Sequence, residues 1–453
     1  MSAPAETGTI WSPRYAGVTI GAVALIFLAA IESLAVTTVM PIVSKDLHGE
    51  ALYAVAFAGT LATSVIGMVG AGAWSDRAGP RKPLYTATLL FVIGLVIAGV
   101  ATTMPVLLIG RLVQGLGAGA QTVALYVVVA RMFPAVLHGP VFAAFAAAWV
   151  VPSMIGPFLA GLVTQYLHWR WTFLGVAVLV AVAFVLVVTR LRAVDLGGGD
   201  PSAADRPVGL RMLLAVIVAV GAVGVGFAVD APATWRWPLA AGITVVIGLA
   251  MLPLLPKGTL RAARGLPSVV LIRGMIAGAF FAAEAYIPYL LIDRFAFEPA
   301  WAGLALTLAA IAWSSASWVQ GRYGEALGST RIVGISIALL LVGMAAMLLV
   351  ALTGSMPWLV MIAWGAAGGG MGLLYPRLTV LTLAASTPGN EGFNSSALSI
   401  ADATGSAVTI AFAGIAFGSL ALAGSGFPVV FAITAGLVLL SLVPGLRLDP
   451  RRS

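Results

Sequence analysis

The sequence predicts an all-α integral membrane protein: two six-helix bundles with a helix pair inserted between them, fourteen transmembrane helices in all. Three observations predict it. Hydrophobic residues make up 61% of the chain and charged residues 9%, against about 25% charged in an ordinary soluble domain. Apolar segments of about twenty residues, long enough as helices to cross a ~30 Å hydrocarbon core, recur from one end to the other. Finally, one charged stretch, GAWSDRAGPRK at 72–82, returns as GRYGEALGSTR at 321–331.

The apolar runs fall at about 16–41, 51–74, 83–104, 106–131, 138–164, 170–190, 211–230, 237–256, 268–292, 299–322, 330–352, 357–385, 394–421 and 425–446. The first follows MSAPAETGTIWSPRY and is too long for a signal-peptide core, so it reads as a retained span. Runs seven and eight are the weakest, because a twelve-helix chain would make 211–256 a loop. Both are apolar and DAPATWRW separates them, so they are kept as a pair. RLRAVDLGGGDPSAADRP at 190–207 is rich in Gly, Pro, Asp and Ala and reads as a linker. The expected division is a six-helix bundle at 1–190, a cytoplasmic linker at 191–210, the inserted pair at 211–256 and a second six-helix bundle at 257–453.

An even number of spans puts both termini on one side. With the N-terminus cytoplasmic, eighteen of the 24 Lys and Arg residues fall on the cytoplasmic side and four (Lys45, Arg170, Arg236 and Arg294) on the other, while Arg111 and Arg273 lie within spans. This asymmetry accounts for the net charge of +8 through membrane orientation, so nucleic acid is not an expected partner. The lipid bilayer is. Arginine outnumbers lysine and Ala, Gly and Val abound, a composition common in bacteria with GC-rich genomes, which makes a bacterial inner membrane the expected location.

The repeated stretch aligns without gaps: Gly72 with Gly321, Trp74 with Tyr323, Asp76 with Glu325, Gly79 with Gly328 and Lys82 with Arg331, at an offset of 249 residues. Each copy follows the second helix of a six-helix set and precedes the third, as two related bundles require.

GAWSDRAGPRK resembles the cytoplasmic loop signature of the major facilitator superfamily, Gly-x-x-x-Asp-Arg-x-Gly-x-Arg-Lys. RLVQGLGAGA at 111–120 is similar to the Arg-x-x-Gln-Gly motif of that family's fourth span. IGPFLAG at 155–161 is similar to its antiporter element Gly-Pro-x-x-Gly-Gly, with Ala160 replacing the first Gly of the final pair. ESLAVTTVMP at 32–41 is similar to the Asp-x-Thr-x-x-Asn-x-x-x-Pro pattern of the fourteen-helix drug:proton antiporter branch, with Glu32 in the Asp position. The resemblance covers nearly the whole chain and implies the major facilitator fold.

It also implies a gate loop of Gly72, Asp76, Arg77, Gly79, Arg81 and Lys82, with Glu325 in the second copy. The glycines would permit a tight turn, and Asp76 would face the positive N-terminal end of the helix starting near Asn394. Arg81 and Lys82 serve topology equally well. Relatives often set an acid near the cytoplasmic end of span four against the motif's arginine, but ARMFPAVLHGP at 130–140 offers Arg77 none.

Ionisable groups at membrane depth are costly and mark substrate or proton paths. Glu32 lies in span one, Glu284 in span nine and Asp402 in span thirteen. Spans one and nine open the two bundles, so Glu32 and Glu284 should face one central cavity from pseudo-symmetric positions. Taking a carboxyl out of water favours its proton-carrying form, and such an acid can exchange a proton for a cation. The alternative is an acid that hydrogen-bonds neighbouring helices as packing glue. Arg111 in span four must find carboxylate or carbonyl partners; the resemblance makes it a candidate for proton coupling beside Glu32, with Gln114 completing the network. The equivalent helix of the second half, VMIAWGAAGGGMG at 360–372, keeps glycines and lacks the arginine, so coupling is expected in the first half.

Gly156, Pro157 and Gly161, like Gly115, Gly117 and Gly119, are explained by close helix packing, and an antiporter role for them rests on resemblance. Trp169, Trp171, Trp235, Trp237 and Trp358 fall near span ends as interface anchors. Phe280, Phe281, Tyr286, Tyr289 and Trp313 could line a lipophilic pocket suited to a cation, or simply pack.

No cysteine is present, which removes disulfides, thiolate metal sites and thiol catalysis, and the three histidines are scattered, so no metal is expected. There is no G-x-x-x-x-G-K-[ST] loop and no nucleophile–base pairing. The expected energy source is therefore a proton gradient with no cofactor, and the chain is not expected to be an enzyme. The expected function is a monomeric, proton-coupled exporter of lipophilic, often cationic small molecules. The alternative on the same scaffold is export of an endogenous metabolite, lipid or siderophore. A non-transporting sensor would not need its buried charges.

Overall fold

Hydrocarbon offers no partner to backbone N–H and C=O groups, so a chain this apolar must satisfy them within each segment, as helices. The computed structural model describes residues 9–192, 194, 196, 208–228, 231–386, 391–420 and 426–448; residues 193, 195 and 197–207 of the expected linker lie outside them. Among the described residues, fourteen helices are long and apolar enough to span a membrane. They are α1 (Ala16–Asp46), α2 (Tyr53–Ala78), α3 (Arg81–Gly99), α4 (Met104–Met132), α5 (Ala135–Tyr166), α6 (Arg170–Leu191), α7 (Val208–Phe227), α8 (Ala233–Met251), α9 (Leu266–Tyr289), α10 (Pro299–Leu327), α11 (Ser329–Thr353), α12 (Trp358–Ala384), α13 (Glu391–Leu420) and α14 (Gly426–Leu440). Among the described residues there is no strand.

Within the first set, α4 packs on α2 and α3, and α1 on α5 and α6. In the second, α12 packs on α10 and α11, and α9 on α13 and α14. The packing of one bundle is thus repeated in the other. Glycines show why. A Cβ at Gly115 or Gly119 of α4 would overlap the carbonyl oxygens of Thr60 and Ser64 on α2; a Cβ at Gly368 or Gly372 of α12 would overlap those of Ala309 and Trp313 on α10. Ala309 and Trp313 stand 249 residues beyond Thr60 and Ser64, and Gly368 and Gly372 stand 253 beyond Gly115 and Gly119. Two helix pairs therefore meet at equivalent points with no side chain between their backbones.

The bundles meet along two seams, α2 against α13 and α5 against α10, and α1 also touches α9. The inserted pair does not separate the bundles. α7 lies on α2 and α13, covering that seam from outside, and α8 packs on α7. Arg236 near the start of α8 ties it down by donating to Ser419 Oγ of α13 at 2.7 Å.

One expectation changes. The motif at 72–82 is mostly helix: Gly72 to Arg77 form the last turns of α2, and the turn itself is confined to Gly79 and Pro80. Gly79 has φ +80° and Gly328 has φ +73°, so at these two equivalent positions glycine relieves strain. Gly72 is helical and its missing Cβ faces a Val123 side chain at 3.7 Å, which is ordinary contact. The charged residues within 72–77 continue the helix because, beyond the apolar run, water solvates them without ending the hydrogen-bond ladder.

Candidate functional site

Three polar side chains of the first bundle converge in its interior. Arg111 Nη1 lies 2.5 Å from Glu32 Oε1 and donates to Gln114 Oε1 at 2.8 Å, while Nε reaches the Ala56 carbonyl at 3.4 Å. The side chains of Glu32 and Arg111 are each only 5% exposed. Helical spacing places Gln114 one turn from Arg111. The turn between them is held on its far side by α3, where a Cβ at Gly94 would strike the backbone of Gln114. A guanidinium with a carboxylate, an amide oxygen and a carbonyl around it is charge-balanced and largely satisfied, which allows two ionised groups to persist at membrane depth.

Glu284, on α9, differs. It is half-buried and has no hydrogen-bond or ion-pair partner among the described residues. Asp402 is paired within its own bundle: Arg273 Nη2 lies 3.1 Å from Oδ2, and the Tyr375 hydroxyl donates to Oδ1 at 2.7 Å. The Arg273 guanidinium also covers the Tyr375 ring, 3.3 Å from its centroid. Arg273 and Tyr375 escape sequence reasoning. The sequence places Arg273 within a span, seven residues into its helix, but gives it no partner, and Tyr375 is one aromatic among many.

In the second bundle, the position 253 residues beyond Arg111 is occupied by Trp364. It is fully buried and stacks on Phe280 with centroids 4.3 Å apart, and Phe280 makes edge contacts with Phe281 and Trp313. One half therefore carries an ion pair where the other carries aromatics. Phe281 and Trp313 are half-buried. Tyr286 and Tyr289 lie elsewhere: both are buried and pack with Tyr53 of α2 at the seam, centroids 5.4 and 4.9 Å away, and with Phe417 of α13.

The two bundles are pinned to each other at one end. The Tyr53 hydroxyl donates to the Ala285 carbonyl, Lys45 Nζ lies 2.6 Å from Asp293 Oδ1, and Gln165 Nε2 lies 3.3 Å from Glu298 Oε2. Asp293 belongs to a wide π turn, Leu290–Arg294, that follows Pro288. Pro157 and Gly161 of α5 act here: a Cβ at Gly161 would come within 2.6 Å of the Pro299 carbonyl oxygen, and one at Gly303 would overlap that of Pro157. Gly156 instead faces α1, with 4.0 Å to Ile31. The antiporter-like element thus forms a backbone-to-backbone contact between bundles.

At the opposite end, Asp76 is exposed and makes no hydrogen bond or ion pair with the start of α13 among the described residues. Asn394 is buried and donates to Ser386 Oγ at 2.8 Å. Arg77 is engaged, although span four supplies no acid near it. Arg81 donates to the Val194 carbonyl, Lys82 is exposed, and Glu325 is 98% exposed with Arg377 Nη1 at 4.0 Å. Among the described residues no group of three or more His, Asp and Glu side chains is placed to hold a metal.

Comparison with known proteins agrees with this architecture. The chain is similar to a POT family transporter crystallised with 5-aminolevulinic acid, with a TM-score of 0.72 at 15% identity over 98% of both chains; at that identity the likeness concerns fold. It is 32% identical over 166 residues to an MFS-type transporter of the acurin A biosynthesis cluster of Aspergillus aculeatus, covering 37% of this chain and 30% of that one. It is 31% identical over 198 residues to an MFS efflux transporter of Aspergillus oryzae, covering 43% and 36%. An uncharacterised MFS-type transporter of Mycobacterium tuberculosis is 32% identical over 161 residues, covering 35% and 23%. The matched segments span about a third or less of these curated relatives. The family profile matches residues 22–409, most of the chain, and the protein belongs to the Major Facilitator Superfamily.

Proposed function

We propose that this protein is a proton-coupled exporter of lipophilic, cationic small molecules, of the fourteen-helix drug:proton antiporter type. It works by alternating access as the two bundles rock about the membrane midplane. Its place is a bacterial plasma membrane with both termini cytoplasmic, and it acts as a monomer with a proton gradient as the only energy source. The observation that carries the reading is the contrast between two acids. Glu32 is balanced by Arg111 in the first bundle, whereas Glu284 sits half-buried beside an aromatic cluster with no partner among the described residues. A proton or cation at Glu284 would supply the missing charge, and the Phe281 and Trp313 faces suit a lipophilic cation. Arrival of a proton at Glu32 would release Arg111 and change the balance of the first bundle.

A second reading keeps the mechanism and changes the cargo to the host's own product; it is favoured by one relative that belongs to a biosynthesis cluster. The experiment uses protein reconstituted in liposomes with an internal pH dye and an imposed pH gradient, challenged with tetraphenylphosphonium, ethidium and related cations. Substrate-triggered proton movement supports drug export. Silence from folded protein favours an endogenous cargo and makes the host's secreted metabolites the next panel.

A further inference from the structure

A groove of about 310 Å³ lies between α2, α3 and α4 of the first bundle and the start of α7 in the inserted pair. Its floor consists of small residues, Gly67, Gly70 and Ala71 of α2, Ala87 of α3 and Ala120 of α4, and only Trp74 and Thr86 bring a polar side-chain atom to it. Met212 of α7 forms one wall, its Cε 3.1 Å from where a Cβ on Gly70 would stand. α7 runs antiparallel to α2 in a definite register, in which Met212 meets Gly70, Val223 meets Gly59 and Gly226 meets Val55. The first turn of α7 is therefore level with Trp74, close to the end of α2. The exposed side chains next to the lining residues, Leu89 and Ile93 of α3 and Leu210 and Leu213 of α7, are large and apolar, so the groove opens to hydrocarbon and not to water. Along α2 its lining runs from Trp74 to Ile66, about 12 Å of helix, against the ~15 Å that one leaflet contributes to a ~30 Å hydrocarbon core.

Two cations stand at the same end. Lys82 lies one turn before Thr86, on the face of α3 that Thr86 and Leu90 present to the groove, and Arg211 directly precedes Met212. Both are exposed and neither makes a hydrogen bond or ion pair among the described residues, whereas Arg81 is committed to the Val194 carbonyl. Within 76–82 and the first turn of α7, the acid Asp76 stands against the cations Arg77, Arg81, Lys82 and Arg211, so the rim is positive. We propose that the groove holds one acyl chain of an anionic phospholipid whose phosphate is paired with Lys82 and Arg211. The apolar floor takes the chain, and the long cationic side chains at the rim extend to the headgroup level, where the phosphate sits. Trp74 stands at the boundary between chain and headgroup, the depth that suits an indole. The positive rim disfavours a lipophilic cation as occupant, which separates this site from that of the cargo. A lipid held in this way bridges α3 of the first bundle and α7 of the inserted pair.

The test uses the full-length protein, purified, stripped of lipid and weighed intact by native mass spectrometry. It is offered equal amounts of phosphatidylglycerol and phosphatidylcholine with the same palmitoyl and oleoyl chains, which differ in headgroup charge. Wild type is expected to retain one phosphatidylglycerol in preference to phosphatidylcholine. Lys82→Gln and Arg211→Gln should each lower that preference about fivefold, and the double variant should bind the two lipids alike. Gly70→Leu, which fills the groove beside the flexible tip of Met212, should lose both lipids; if it does not fold, Thr86→Phe fills the groove from its exposed rim and is read in the same way. No retained lipid, no headgroup preference in wild type, or a preference unchanged in the double variant would overturn the proposal. So would displacement of the lipid by glycerol phosphate, which would make this a site for a free anion. Displacement by tetraphenylphosphonium would assign the groove to cargo, and a lipid-free dimer mass would assign it to a second copy of the chain, each against the proposal.

Discussion

Glu32 Oε1 and Arg111 Nη1 meet at 2.5 Å inside the first bundle, each side chain almost wholly removed from solvent. A buried pair contributes little net stability over an apolar pair, but breaking one leaves an uncompensated charge, which costs about 3–5 kcal/mol. Glu32→Gln or Arg111→Gln alone is expected to lower the thermal unfolding midpoint of the detergent-solubilised protein, and the double variant to recover most of the loss. Midpoints that fall additively would mean that the two charges do not balance each other.

The pinned end of the bundles yields a prediction that the absence of cysteine makes clean. Gln165 and Glu298 face each other across the bundles at 3.3 Å. The pair Gln165→Cys and Glu298→Cys is expected to cross-link under oxidation, to stop transport, and to regain it on reduction. Transport that continues in the cross-linked protein would show that this end does not open.

Gly303 offers a steric version of the same test. Because a Cβ there overlaps the Pro157 carbonyl oxygen, a large side chain cannot be accommodated without moving α5 from α10. Gly303→Leu should reduce both the yield of the 165–298 cross-link and transport, while leaving membrane insertion unaffected.

Lys45 and Asp293 form an exposed pair, 43% and 40% accessible, so its loss should barely change stability. Its effect should appear in gating. Lys45→Asp or Asp293→Lys is expected to reduce transport, and the exchange of both charges to restore it.

Asp76 makes no hydrogen bond or ion pair with the start of α13 among the described residues, and the proposed alternating-access cycle would supply a conformation in which it does. Asp76→Asn is expected to slow transport several-fold without changing the amount of protein in the membrane. An unchanged rate would remove any gating role from this residue.

Much of the architecture was legible in composition and spacing, because in a bilayer a helix must be both apolar and long. The internal repeat was legible from GAWSDRAGPRK and its copy. That Arg111 should find a carboxylate or carbonyl followed from buried charges needing partners, and the family resemblance pointed to Glu32 and Gln114. The Arg273–Asp402–Tyr375 cluster was not legible. It depends on α9, α12 and α13 converging through Gly274 and Gly405, and glycine pairs that admit backbone contact look in sequence like any others. The motif's helical ending was also missed, since charged residues beside glycines read as a loop when nothing indicates where the hydrocarbon ends. The tyrosines at 286 and 289 illustrate a third case: periodicity assigned them to a span, but only tertiary structure turned them toward Tyr53 and the seam.

The most direct test of the central claim is proton flux through purified protein in liposomes, wild type against Glu32→Gln, with both shown to be folded and equally incorporated. Lipophilic cations are expected to trigger proton movement in wild type and none in the variant. Undiminished proton movement in Glu32→Gln would contradict the claim that Glu32 takes part in coupling.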